Sequence, residues 1–280
     1  MIYFLAPLLV LISSLFSGEP PKVLVSVAPY TYFVERIAGN HVSVNLMVPE
    51  ASSAHTFEPS PKQMISATQS DIWFRIGEPF EVKALNAIKS VRPDLVVVDL
   101  RKGISLLHGQ CKHVHAEGHC GADLHLWLSP KIAKIQAEII AEALIQQFPK
   151  HKEDFEKNYQ GFIKELTDLE DFIFTTLAPV KNRMLIVSHP AYAYFCKDYN
   201  FTQVSIEFEG RDPTGKQLTT LLNCAKQSQV HFILTQPQYS DKAARLIADQ
   251  IHARLISVDP YSEKYDSTLR LIATVIAENQ

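Results

Sequence analysis

The chain has 280 residues, 46% hydrophobic and 20% charged, a composition that supports packed cores and excludes disorder as the main state. Its net charge of −3, with no long basic run, gives no electrostatic footprint for nucleic acid. The length suits two α/β lobes of ordinary size.

Residues 1–18, "MIYFLAPLLVLISSLFSG", are apolar and stop abruptly at "EPPK". The run is shorter than the roughly 20 residues a membrane-spanning helix needs. It reads as a signal peptide, which places the remainder in the periplasm; an apolar helix docked on the fold is the alternative. No Cys ends the segment, so a lipid anchor on Cys is not indicated.

Residues 22–149 form the expected N-terminal lobe. Four β-rich runs occur there: "VLVSVA" from Val23, "VNLMVP" from Val44, "IWFRIG" from Ile72 and "LVVVDL" from Leu95. Residues 150–179 differ. Phe155, Tyr159, Phe162, Leu166, Leu169, Ile173 and Leu177 recur at steps of three and four, the stripe of one long amphipathic helix. Gly161 inside it costs about 1 kcal/mol against Ala, too little to break the helix. The helix either joins the two halves or forms a coiled-coil seam; joining is favoured, because strand groups flank it. Residues 180–280 form the C-terminal lobe, with "MLIVSH" from Met184, "QVSIEF" from Gln203, "HFILTQ" from His231 and "RLISVD" from Arg254. Near-continuous apolar strands spaced by helices predict two doubly wound, mostly parallel sheets, joined by the rigid helix.

Eleven histidines occur in the chain, and five of them (His108, His113, His115, His119 and His125) lie between positions 108 and 125. Imidazole is the commonest protein ligand for borderline metals. In open parallel sheets, ligands bind beyond the carboxyl ends of the strands. His55 follows the second strand, His189 the fifth and Asp259 the eighth, while His125 precedes a helix that Ser129 caps and Pro130 begins. Each lobe thus offers two donors to one cleft, and three imidazoles with one carboxylate suit zinc better than manganese or calcium. Asp123 could orient the His125 ring, and Glu207 and Glu209 could supply hydrogen bonds behind the ligands; plain turn roles are the competing reading. Trp73, Trp127, Tyr192 and Tyr194 wall the cleft or fill cores. His108, His113, His115 and His119 lie in a Gly-containing loop at 108–120, which suits weak auxiliary capture of the ion; a solvated loop with no role is the alternative. Cys111 and Cys120 bracket that run at a C-x8-C spacing. In an oxidising compartment a local disulfide is favoured, with thiolate ligation or free thiols left open, and Cys196 and Cys224 either pair or are simply buried.

The segments "AHTFEPSPKQ", "DLHLWLSP", "SHPAYAYF", "EFEGRDPTGKQL" and "TQPQYSDKAARLIADQIHARLISVDP" together resemble the metal-binding solute receptors that serve ABC-type zinc and manganese importers. They span essentially the whole chain after residue 18, in the family's order. The resemblance implies metal ligands at His55, His125 and His189, a fourth near Asp259, and two α/β lobes bridged by one long helix. A histidine at position 189, where manganese carriers place a carboxylate, and the histidine-rich loop are zinc-type features. Two departures are a short loop and Pro190 where an acid is more usual. The expected function is capture of Zn2+ by a monomer and delivery to an ABC permease, with a manganese or iron receptor as the runner-up. From a different class, a three-histidine zinc hydrolase would need a general base, for which Glu58 is the candidate; a loop-based zinc buffer is the third reading.

Overall fold

The computed structural model describes residues 19–108, 121–207 and 213–279. The strands are β1 (Lys22–Val25), β2 (Ser43–Leu46), β3 (Ile72–Arg75), β4 (Val96–Asp99), β5 (Met184–Val187), β6 (Thr202–Ser205), β7 (Phe232–Thr235) and β8 (Arg254–Ser257). The helices are α1 (Pro29–Ala38), α2 (Pro61–Ala67), α3 (Pro79–Val91), α4 (Pro130–Gln147), α5 (Lys152–Leu177), α6 (Ala193–Asp198), α7 (Gly215–Gln227), α8 (Lys242–Ile251) and α9 (Tyr265–Asn279). All eight expected strands form. They make two four-stranded sheets of order β2-β1-β3-β4 and β6-β5-β7-β8, every pairing parallel. In each, chain order reverses between the two central strands, which opens a crevice at their carboxyl ends.

Sequence signals set several helix starts. Ser60 and Gln63 form a capping box ahead of α2, Thr214 and Gln217 another ahead of α7, and the Ser129 hydroxyl accepts from Ile132 N at 3.1 Å to open α4. Pro61 and Pro130 stand at the first helical position, where their missing N–H costs nothing.

Helix α5 has 26 residues and spans about 39 Å at 1.5 Å per residue. Its stripe is buried within the chain: Phe155, Phe162, Leu166, Leu169, Ile173 and Leu177 pack against α1, α4 and α9, so no coiled-coil seam is left over. Phe162 meets Phe33 of α1 edge-on at 5.2 Å, and Phe33 meets Tyr265 of α9 at 4.8 Å. One continuous core runs from Val23 and Val25 of the first sheet through Phe162 and Leu166 to Val187 and Leu234 of the second. A smaller cluster around Ile186, Ile233 and Ile247 covers the far face of the second sheet.

The thiols correct one expectation. Cys196 and Cys224 are both free, so they do not pair. Cys196 is buried in the shared core, whereas the Cys224 sulfur approaches that of Met184, 3.9 Å away, beside the smaller cluster. Cys111 and Cys120 lie outside the described residues, as does the 1–18 segment. No described helix is long and apolar enough to cross a membrane.

Candidate metal centre

His55, His125 and His189 converge between the two sheets. Their ring centroids form a near-equilateral triangle of 5.1, 5.3 and 5.4 Å. One nitrogen from each lies within 4.8 Å of the others, and these three residues are the single such group among the described residues. Zinc at 2.0–2.1 Å from tetrahedral nitrogens needs them about 3.4 Å apart, so each ring has to advance by under about 1 Å to close on an ion.

The backbone delivers each ring from a different element. His55 rides on a short 3-10 turn, Ala54–Thr56, between β2 and α2. His125 immediately precedes the 3-10 turn Leu126–Leu128 that leads into α4. His189 follows β5 after one residue, and its carbonyl accepts from Gln236 Nε2 at 3.4 Å. His125 and His189 are 3% and 5% exposed, while His55 is half-buried and forms the open side.

Behind each ring stands a carboxylate. His55 Nδ1 donates to Glu78 at 3.0 Å, His125 Nδ1 to Asp123 at 2.8 Å, and His189 Nδ1 to Glu207 at 2.8 Å. An ionised carboxylate only accepts, so each Nδ1 carries the proton and each Nε2 keeps its lone pair for the centre. His189 Nε2 accordingly is buried with no hydrogen-bond partner. Asp123 and Glu207 do hydrogen-bond the His125 and His189 rings, which plain turn roles would not require. Sequence reasoning missed Glu78, fully buried at the N-terminus of α3; the carboxyl-end rule applied to "IWFRIGEP" would have found it.

Two tyrosines of the second half complete the wall. Tyr239 stacks on the His189 ring at 4.0 Å, nearly parallel, and its hydroxyl shares a 3.1 Å hydrogen bond with Ser53 beside His55. Tyr261 donates its O–H to His125 Nε2 at 3.0 Å. Burial, then the charge of Glu78, raises the Tyr261 phenol well above its ordinary pKa and keeps it neutral. Burial likewise pushes Tyr239 up to about 12.

The imidazoles titrate apart. Burial, reinforced by the neighbouring His125 and His55 charges and only partly offset by Glu207, lowers His189 to about 4. Burial also pulls down on His55, but the hydrogen bond and charge of Glu78, with Asp123 and Glu207 beyond, outweigh it and raise His55 above its usual value.

The other expected residues fall as follows. Asp259 lies outside the three-histidine group; its Oδ1 accepts from Gln238 Nε2 at 2.7 Å and from Tyr261 N at 2.9 Å. His108 is exposed and pairs with Ala122 in an isolated antiparallel bridge, while His113, His115, His119 and Glu209 lie outside the described residues. Trp73 is core and donates to Ser26 at 3.1 Å; Trp127 stands 5.5 Å from His125 and donates to the Pro260 carbonyl at 2.8 Å. The Tyr194 hydroxyl links Leu107 N to the Asp123 carbonyl. Glu58 turns away: its side chain is 84% exposed and pairs with Lys83 at 3.7 Å. The nearer acids, Glu78, Asp123 and Glu207, each hold an imidazole proton, so the general base that the hydrolase reading placed at Glu58 is not supplied by Glu58 or by these three.

Comparison with known proteins agrees with this geometry. The family model described as "ZnuA: Zinc-uptake complex component A periplasmic" matches residues 23–279. A putative metal-binding protein of Chlamydia muridarum is 32% identical over 259 residues, 92% of this chain and 91% of that protein. The high-affinity zinc uptake system protein ZnuA of Bacillus subtilis is 29% identical over 246 residues, 85% of this chain and 77% of its own. A crystal structure of ZnuA superposes with a TM-score of 0.87 at 32% identity, covering 93% of this chain and 99% of that one. A zinc-bound ZnuA deletion mutant gives 0.86 at 32% identity, over 93% and 98%. With its two parallel sheets, long joining helix and interposed histidine triad, the chain belongs to the ZnuA family of metal-binding receptors of ABC importers and is a transport receptor, not an enzyme.

Proposed function

We propose that this protein captures Zn2+ at His55, His125 and His189 in an exported, periplasmic compartment and hands it, as a monomer, to an ABC permease. The supporting observation is the donor set itself: three imidazoles with one nitrogen each within 4.8 Å of the others, each ring held by a carboxylate on Nδ1. Nitrogen donors at this number suit zinc over manganese, which favours more oxygen. Asp259 is the proposed fourth ligand, through the carboxylate oxygen that Gln238 and Tyr261 leave unused. In this reading residues 22–149 and 180–280 are the two lobes, 150–179 the bridge, and 1–18 a cleaved signal peptide.

The site's charge supports cation capture. Three neutral imidazoles, the proposed ligand Asp259 and the backing Glu78, Asp123 and Glu207 carry about −4 when the carboxylates are ionised, so a dication enters an attractive field and leaves about −2. A Mn2+ or Fe2+ receptor is the second reading, since the same nitrogens bind either ion less tightly.

The deciding experiment is metal analysis of the purified protein with competitive titration of Zn2+ against Mn2+, repeated on His189→Ala. One tight zinc site lost in the variant is the expected result; affinity and selectivity retained in it would remove His189 and the proposed function with it. Deleting residues 108–119 tests the auxiliary role of His108, His113, His115 and His119: a receptor keeps its tight site, whereas a loop-based buffer loses most binding.

A further inference from the structure

We propose that Tyr261 is a placeholder for the metal: its hydroxyl caps His125 Nε2 and must let go before an ion can bind there. The inference rests on the zinc-receptor reading of the triad. Its geometry is specific to one nitrogen. His125 Nδ1 and backbone N–H both donate to Asp123 Oδ1, at 2.8 and 2.9 Å, which fixes the tautomer and leaves Nε2 as an acceptor. Tyr261 supplies the matching O–H at 3.0 Å. An ion needs the same lone pair, so the two occupants exclude each other.

The phenol is held in place on its own account. Tyr261 is 5% exposed, its ring lies 5.0 Å from Trp127, and its backbone N–H is anchored on Asp259. Trp127 in turn donates to the Pro260 carbonyl, so the turn that carries the phenol is pinned to the turn that carries His125. The contrast with His189 is informative: its Nε2 is equally buried and has no partner. The triad therefore holds one ligand in reserve and one exposed to the incoming ion. Entry is ordered, with His55 and His189 engaging first and His125 joining as the Tyr261 hydroxyl turns aside. The hydroxyl raises the dissociation constant by the strength of one buried hydrogen bond and slows the last ligand's engagement.

Tyr261→Phe keeps the ring and removes the O–H. Chelator-competition titration with Zn2+ should show affinity increased about five- to tenfold, the equivalent of a typical net hydrogen bond, and stopped-flow mixing should place the gain in the association rate. Nitrogen NMR of the metal-free proteins supplies a readout that loose packing would not move: the His125 Nε2 resonance should show an accepted hydrogen bond in the wild type that the variant abolishes. Unchanged affinity overturns the proposal, and weakened affinity does so too, by making the hydroxyl a ligand. Absence of the NMR signature in a well-folded wild type overturns it independently. Failure of the wild type itself to bind zinc would instead sink the receptor reading.

Discussion

A neutral imidazole has one lone pair, and its protonated partner nitrogen decides where that pair points. Glu78, Asp123 and Glu207 make that choice three times over, and affinity is accordingly sensitive to residues that never touch the ion. Glu207→Ala frees the His189 ring to rotate and should weaken zinc binding 10- to 100-fold in competition titrations with the fold intact; equal affinity in wild type and variant would refute the orienting role. Protons compete for the same nitrogens, and the two shifted histidines set where. His189, lowered to about 4, is already deprotonated across the physiological range and imposes no pH limit there. His55, raised above its usual value, is the one to charge as pH falls. Zinc affinity should therefore be full well above pH ~6.5 and drop on acidification through the His55 transition, which begins above that unperturbed value. Glu78→Gln removes the raising partner and should move the inflection to lower pH. An inflection near 4 in the wild type would instead make His189 the controlling group. At this scale the sequence pointed to His55 and His189, because His after a strand end is a visible local pattern, and the structure groups both with His125. The sequence hid Tyr239 and Tyr261, whose roles arise from contacts across 50 and 136 residues of chain with His189 and His125.

Element-level legibility followed from physical pattern. Runs such as "LVVVDL" and "HFILTQ" must be covered on both faces, and strands form there. The α5 stripe was equally plain, but a stripe announces burial without naming the partner, and only the structure assigns it to α1, α4 and α9. That assignment makes two opposite predictions for adjacent residues. Phe162, fully buried against Tyr32 and Phe33, should cost about 3–5 kcal/mol on Phe162→Ala in denaturant unfolding. Gly161 faces outward with open space where a Cβ would sit, so Gly161→Ala should stabilise by about 1 kcal/mol. A neutral or destabilising alanine at 161 would show that the helix interior there needs glycine for a reason other than space.

Across the whole molecule, the sequence predicts two sheets joined by a helix but not how their cores relate. There are two sheets, but the largest core is common to both and threads through α5. Sequence periodicity marks which face of an element is apolar; it carries no record of which distant face meets it. A shared core resists hinge opening, so X-ray scattering with and without zinc should show the radius of gyration changing by less than about 1 Å, as for preorganised binders. A large compaction would mean the halves part in solution. The same continuity governs how the protein comes apart. Halves that cannot dissolve separately should give one calorimetric endotherm, and an ion lodged at their seam should shift that endotherm whole, by about 2.7 kcal/mol of added stability at a hundredfold excess over its dissociation constant. Heating thus becomes an occupancy gauge, readable without any label on the metal.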